Sequence, residues 1–200
     1  MTGKTYTLAE AIALQASQTP KRRKKADGTT DRRGGKQGPG LRHQAAVWAT
    51  LKTMMLEQRP TFWAIRIPDP YSPSGHPLKP TPFDFLYTYC ANIDDLYAGG
   101  IEAKSTLGAL KIGKGGLTET QLDYLCKALT PYGHDAYLVW EIRRGDDKGI
   151  WLIGGGEIAA WREYNPTDTK IPTEFVRSGD VFRIGRAGTG RMDLGALVGE

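Results

Sequence analysis

The segment GGIEAKST, Gly99 to Thr106, decides how the chain is read. Side chains alternate along a strand, so Glu102 and Lys104 share one face while Ile101 and Ala103 point into the opposite layer. Charged groups are uncommon in strand interiors unless something pairs with them. Upstream, KPTPFDFLYTY (Lys79 to Tyr89) repeats the anomaly, with Asp84 set among aromatic residues. Its alternation puts Phe83, Phe85, Tyr87 and Tyr89 on one face and Asp84, Leu86 and Thr88 on the other. A turn or short loop around NIDDLYAGG (Asn92 to Gly100) joins the two segments, which read as a hairpin-like pair.

If Asp84 sits level with Glu102 on the neighbouring strand, two carboxylates and one ammonium converge. The carboxylates repel, and a divalent cation is the usual remedy. Hard oxygen ligands suit Mg²⁺ or Mn²⁺. Such a metal bridges protein to a phosphate oxygen and acidifies a bound water. Lys104 then orients or activates that water, or stabilises charge developing on phosphorus. The plain alternative is an ion pair between Lys104 and Glu102 or Asp84, with no metal at all.

Outward from this pair the pattern alternates between helices and strands. Leu41 to Gln58 is helical, with Leu41, Ala45, Trp48, Leu51 and Met55 on one stripe, Gln44 within it and Glu57 opposite. Pro60 closes that helix. Thr61 to Ile67 is a strand, followed by a Pro-, Gly- and Ser-rich loop. After the glycine-rich GALKIGKGG, a helix spans residues 118–129, with Thr118 as N-cap and Gln121 at its third position. DAYLVWEIR and GIWLIGG are two further strands joined by a polar turn. Residues 157–164 read as a short helix, and DVFRIG is a strand in an otherwise Gly-rich tail. The expected class is α/β, a central mixed sheet flanked by helices. The expected organisation is a basic, flexible arm over residues 1–40, a domain over 41–164 and an extension over 165–200.

The chain has 200 residues, enough for one domain with a real core, and a net charge of +5. That charge is uneven: residues 1–42 hold ten Lys/Arg and three Asp/Glu, while the rest is nearly neutral. Pro20 to Gly40 has almost no apolar content and cannot fold alone. Lys21, Arg22, Arg23, Lys24, Lys25, Arg32 and Arg33 make it a candidate phosphate-binding arm. The tail from Arg183 to Arg191 adds positive charge. No apolar run approaches the ~18 residues of a membrane span. Glu10 interrupts the only candidate signal core, which predicts a cytoplasmic protein. Cys90 and Cys126 form no disulfide framework or zinc spacing and read as packed thiols; His43, His76 and His134 share no metal spacing.

TPFDFL followed by IEAKS, a Gln-bearing helix and an apolar strand pair resembles the PD-(D/E)xK nuclease superfamily. The likeness covers residues 41–161 and is closest to RecU-type Holliday junction resolvases and related phage and VRR-type nucleases. Pro82 and Asp84 match the P-x-D element, and Glu102-Ala103-Lys104 matches E-x-K. The resemblance implies a restriction-endonuclease-like core and a Mg²⁺- or Mn²⁺-dependent endonuclease acting on branched DNA, in recombination or phage DNA processing. It implies Asp84, Glu102 and the Ala103 carbonyl as metal ligands, Lys104 as the catalytic lysine, and Gln121 as positioning water or the DNA backbone. Gln121 equally suits a helix cap. It further implies a homodimer, whose two-fold axis matches that of a four-way junction. One position departs: the family often carries an acid early on the first helix, where this chain offers Gln44, a candidate ligand only through its carbonyl oxygen. Two other readings stay open. One is a DNA-binding protein of the same fold without catalysis. The other is an interaction module whose charged face merely makes ion pairs.

Overall fold

A computed structural model describes residues 38–57, 61–67, 81–92, 95–127, 134–177, 181–184, 192 and 194. The proposed basic arm from Lys21 to Arg33, His76, and residues 185–191 of the basic tail lie outside the described residues.

The elements run α1 (Pro39–Glu57), β1 (Phe62–Arg66), β2 (Phe85–Asn92), β3 (Asp95–Thr106), β4 (Leu110–Lys111), α2 (Glu119–Lys127), β5 (His134–Ile142), β6 (Gly149–Gly154), α3 (Gly155–Tyr164), β7 (Lys170–Ile171), a 3₁₀ turn (Thr173–Arg177) and β8 (Phe182–Ile184). Six strands form one mixed sheet in the order β1-β2-β3-β5-β6-β8, and β4 pairs with β7 in a small second sheet. Only the β3–β5 neighbours are parallel; the other four pairs are antiparallel. A parallel pair needs a long crossover, and the connection through α2 supplies it. Gly145, at a φ of +90°, makes the tight turn between β5 and β6.

Helices cover both faces. Alternation sends Phe62, Ala64, Phe85, Tyr87, Ile101, Ala103, Val139 and Leu152 to one face, where Val47, Leu51 and Met54 of α1 bury them. It sends Leu138, Trp140, Ile142 and Ile153 to the other, under Leu122 and Leu125 of α2 and Ile158 and Trp161 of α3. Each fully buried Leu, Ile or Phe contributes roughly 1.5–3 kcal/mol. The C-terminal segment joins this packing: Ile184, Met192 and Leu194 are buried in the α1 layer, and Ile171 and Val176 in the other. Arg183, the first residue of the basic tail, lies over the Trp151 ring and donates to the Lys148 carbonyl.

The structure corrects the sequence in three places. The buried stripe of α1 is His43, Val47, Thr50, Leu51 and Met54, whereas Leu41 and Ala45 are exposed. Hydropathy misses this rotation because His43 and Thr50 are polar. Each gains a partner that makes burial affordable: the Val139 carbonyl for His43, and the Met192 backbone N–H and Ala46 carbonyl for Thr50. Next, β2 starts at Phe85, so Phe83 leaves the Phe85/Tyr87 face and packs in the α2 layer. Proline cannot donate to a ladder, and Pro82 lies just before this turn. Finally, much of the expected turn is strand, because β3 already runs from Asp95.

Candidate functional site

β2 and β3 pair as far as Phe85 opposite Ile101, and Asp84 and Glu102 are the next residues past that last rung. The Asp84 N–H donates to the Ile101 carbonyl at 3.0 Å, which ties Asp84 to β3 just outside the regular register. Beyond it β2 ends, and β3 continues alongside β5 to the Thr106–Ile142 rung. The gap left at the end of β2 is where the charged groups gather.

The Asp84 carboxylate is held from two sides. Gln44 of α1 donates its amide Nε2 to Asp84 Oδ1 at 2.8 Å, and the Ala103 backbone N–H donates to Oδ2 at 2.9 Å. Residues two apart on a strand present their backbones to the same neighbour. The Ala103 carbonyl therefore also faces the β2 side, past the last paired rung. Gln44 reaches the site through its nitrogen, which makes it a clamp on Asp84 rather than an oxygen donor in this arrangement.

Glu102 faces the other layer and is fully buried. Lys104 Nζ lies 2.7 Å from its Oε1, and Gln121 of α2 donates Nε2 to the same oxygen at 2.8 Å. The ion pair weighed as the plain alternative is thus formed, but it satisfies only one oxygen. Glu102 Oε2 is buried without a hydrogen bond, a costly state for a carboxylate. Burial, and then the Asp84 charge beside it, push the Glu102 carboxyl up to about 8; the Lys104 ammonium pulls the other way without offsetting them. Of the roles considered for Gln121, the structure shows the helix cap. The Gln121 Oε1 accepts the Thr118 N–H at 3.0 Å while the Thr118 hydroxyl accepts the Gln121 N–H at 3.1 Å, a reciprocal cap. That cap leaves Nε2 aimed at Glu102.

These groups fit a hard divalent cation. They offer the unsatisfied Glu102 Oε2, the nearby Asp84 carboxylate, whose two oxygens already accept from Gln44 and Ala103, and a backbone carbonyl past the ladder's end, all oxygen donors. They do not make a closed cage: among the described residues no cluster of three or more His, Cys, Asp or Glu is placed to hold a metal. A cation held by these residues would draw the rest of its ligands from water.

A further polar group on the α1 face escaped the sequence reading. Ser105 donates its hydroxyl to Glu141 Oε2 at 2.6 Å, and the buried His43 ring lies 3.9 Å from the same oxygen. The signal was available, since Glu141 in VWEIR is again a charge inside an apolar strand. Cys90 and Cys126 are half-buried and outside any disulfide, and among the described residues no helix is long and apolar enough to cross a membrane. Compared with protein-family models and with curated proteins, the chain matches none.

Proposed function

We propose that this protein is a metal-dependent endonuclease of the PD-(D/E)xK type that hydrolyses DNA phosphodiester bonds, with four-way junctions as its favoured substrate. The observation that carries the reading is the end of the β2–β3 ladder, where buried Glu102, with one oxygen unbonded and Lys104 on the other, lies near enough to Asp84 to feel its charge. The mixed sheet covered by helices on both faces suits the restriction-endonuclease-like core expected of that family. When bound, Mg²⁺ or Mn²⁺ supplies Lewis-acid polarisation of the phosphate and an acidified water.

The chain's own residues do the rest. Gln44 and the Ala103 N–H fix the orientation of Asp84, and Gln121 fixes that of Glu102. Lys104 keeps about a fifth of its side chain exposed, so its ammonium can meet a phosphate as well as Glu102. There it stabilises negative charge building on the non-bridging oxygens. The basic residues from Lys21 to Arg33 add salt-sensitive affinity for the backbone without reading bases. A homodimer would present two such sites to the two symmetric strands of a junction.

The test is incubation with junction, duplex and single-stranded DNA, with and without Mg²⁺ or Mn²⁺. Cleavage that requires metal is expected; its absence for all three substrates, in folded protein, overturns the reading. Gln44 favours one second reading, a DNA-binding protein without catalysis, because an amide stands where the family often carries an acid. DNA binding that survives chelation, with no metal uptake by calorimetry, would establish that alternative.

A further inference from the structure

The α2 side of the sheet is covered only in part. Trp63 and Ile65 of β1 and Leu86 of β2 have the parity opposite to the residues under α1, and among the described residues no helix lies over them. With Phe83, Gly100 and Tyr124 they line an apolar groove of about 550 Å³. Trp63 is 45% exposed, Leu86 38% and Tyr124 50%, which is unusual for three large apolar side chains around one groove. Phe83 and Tyr124 meet edge to face at 6.1 Å. The Phe83 ring lies against Gly100 so closely that a Cβ there would come within 2.2 Å of it, so the wall requires this glycine.

The position of the groove indicates its occupant. Its floor contains the Leu86–Gly100 rung. Glu102, two residues along β3 from Gly100, has the same parity and therefore stands on that same face, ~7 Å away. Phe83, the aromatic wall, directly precedes Asp84. Lys127 and Asp135 also line the groove, with the Lys127 ammonium 3.9 Å from Asp123. Aromatic surfaces beside a phosphate site are what an unstacked nucleotide needs.

Resting on the endonuclease reading, we propose that this groove receives an unpaired nucleobase of the strand whose phosphate lies beside Glu102 and Lys104. The base stacks on Trp63 or the Phe83–Tyr124 pair, so the chain favours DNA that already has an unstacked base next to the scissile bond. Base-on-aromatic stacking corresponds to about 5- to 150-fold in affinity.

The experiment uses the full chain in chelator, so that no cleavage is needed for a result. Single-stranded oligonucleotides carrying 2-aminopurine, and abasic strands of equal length and charge, are titrated against wild type, Trp63→Ala and Tyr124→Ala. Wild type is expected to quench 2-aminopurine and to bind the base-bearing strand more tightly than the abasic one. Trp63→Ala or Tyr124→Ala should lose about 5- to 150-fold for the base-bearing strand only. Equal affinity of wild type for both strands, or unchanged affinity in both variants, overturns the proposal. So does a self-associated wild type that Trp63→Ala turns monomeric in sedimentation without altering DNA affinity, since the groove then holds a second copy. Quenching without any later metal-dependent cleavage would sink the endonuclease reading and leave the groove's ligand standing.

Discussion

Glu102→Gln separates the cost of the buried carboxylate from its use. The folded chain holds the Glu102 proton up to about 8, against 4.5 for an unperturbed glutamate. Below pH 4.5 both folded and unfolded chains are protonated at this position, and the raised value costs nothing. Between 4.5 and 8 the unfolded chain releases the proton and the folded chain keeps it, so stability falls as pH rises. Each unit corresponds to about 1.4 kcal/mol, which makes the loss from pH 5 to pH 8 roughly 4 kcal/mol as an upper figure. Gln cannot titrate, so the variant should lack this slope. At pH 8 it should be the more stable protein, by roughly 1–3 kcal/mol, once its amide N–H₂ at the former Oε2 position is charged the usual penalty for an unpaired buried donor. Urea titrations at pH 5, 6, 7 and 8, in chelator, read this directly as midpoints at constant m. Other titrating groups are common to both proteins and cancel in the difference. Parallel pH profiles for wild type and variant would refute the reasoning, because Glu102 would then ionise as freely folded as unfolded. Repeating the pH 8 titration with Mn²⁺ extends the test. Binding at a hundred times Kd stabilises by ~2.7 kcal/mol, expected for wild type and absent in Glu102→Gln.

Four other outcomes follow from the same geometry. Lys104→Ala should lower cleavage by about 10²–10³ while leaving circular dichroism unchanged; cleavage within threefold of wild type would remove Lys104 from the chemistry. Gln44→Ala should release Asp84 from its clamp and raise the Mn²⁺ concentration needed for half-maximal activity by about 10- to 100-fold. Gln121→Ala removes both a cap and a Glu102 partner; a loss of about 1–2 kcal/mol in urea is expected, together with a steeper fall in stability toward pH 8. Gly100→Ala should cost about 1–3 kcal/mol, because the Phe83 ring must move, and the neighbouring Asp84 should show this as weaker Mn²⁺ binding by calorimetry.

Local patterning was enough to show a helix before the first strand, the Thr61–Ile67 strand, the β2–β3 pair, the capped α2 and the β5–β6 hairpin. Each follows from periodicity or turn chemistry within a few residues. The charges at Asp84, Glu102 and Lys104 stood out for the same reason: they interrupt apolar strands, and such interruptions need partners. Which partners they have depended on contacts between segments far apart in the chain. The β2–β3 register leaves Asp84 and Glu102 just past its last rung, and the packing of α1 and α2 on opposite faces brings Gln44 to one carboxylate and Gln121 to the other. The rotation of α1 was equally hidden, because His43 and Thr50 are polar in sequence and become core residues only through acceptors and donors supplied by β5 and Met192. The groove beside the site has no local signature either. Trp63, Phe83 and Tyr124 come from three separate segments, and they line one surface because, among the described residues, no helix covers β1 and β2 on that side. Alternation along a chain records which residues seek burial or charge compensation; which of them meet is decided by strand register and layer order, which no short window of sequence contains.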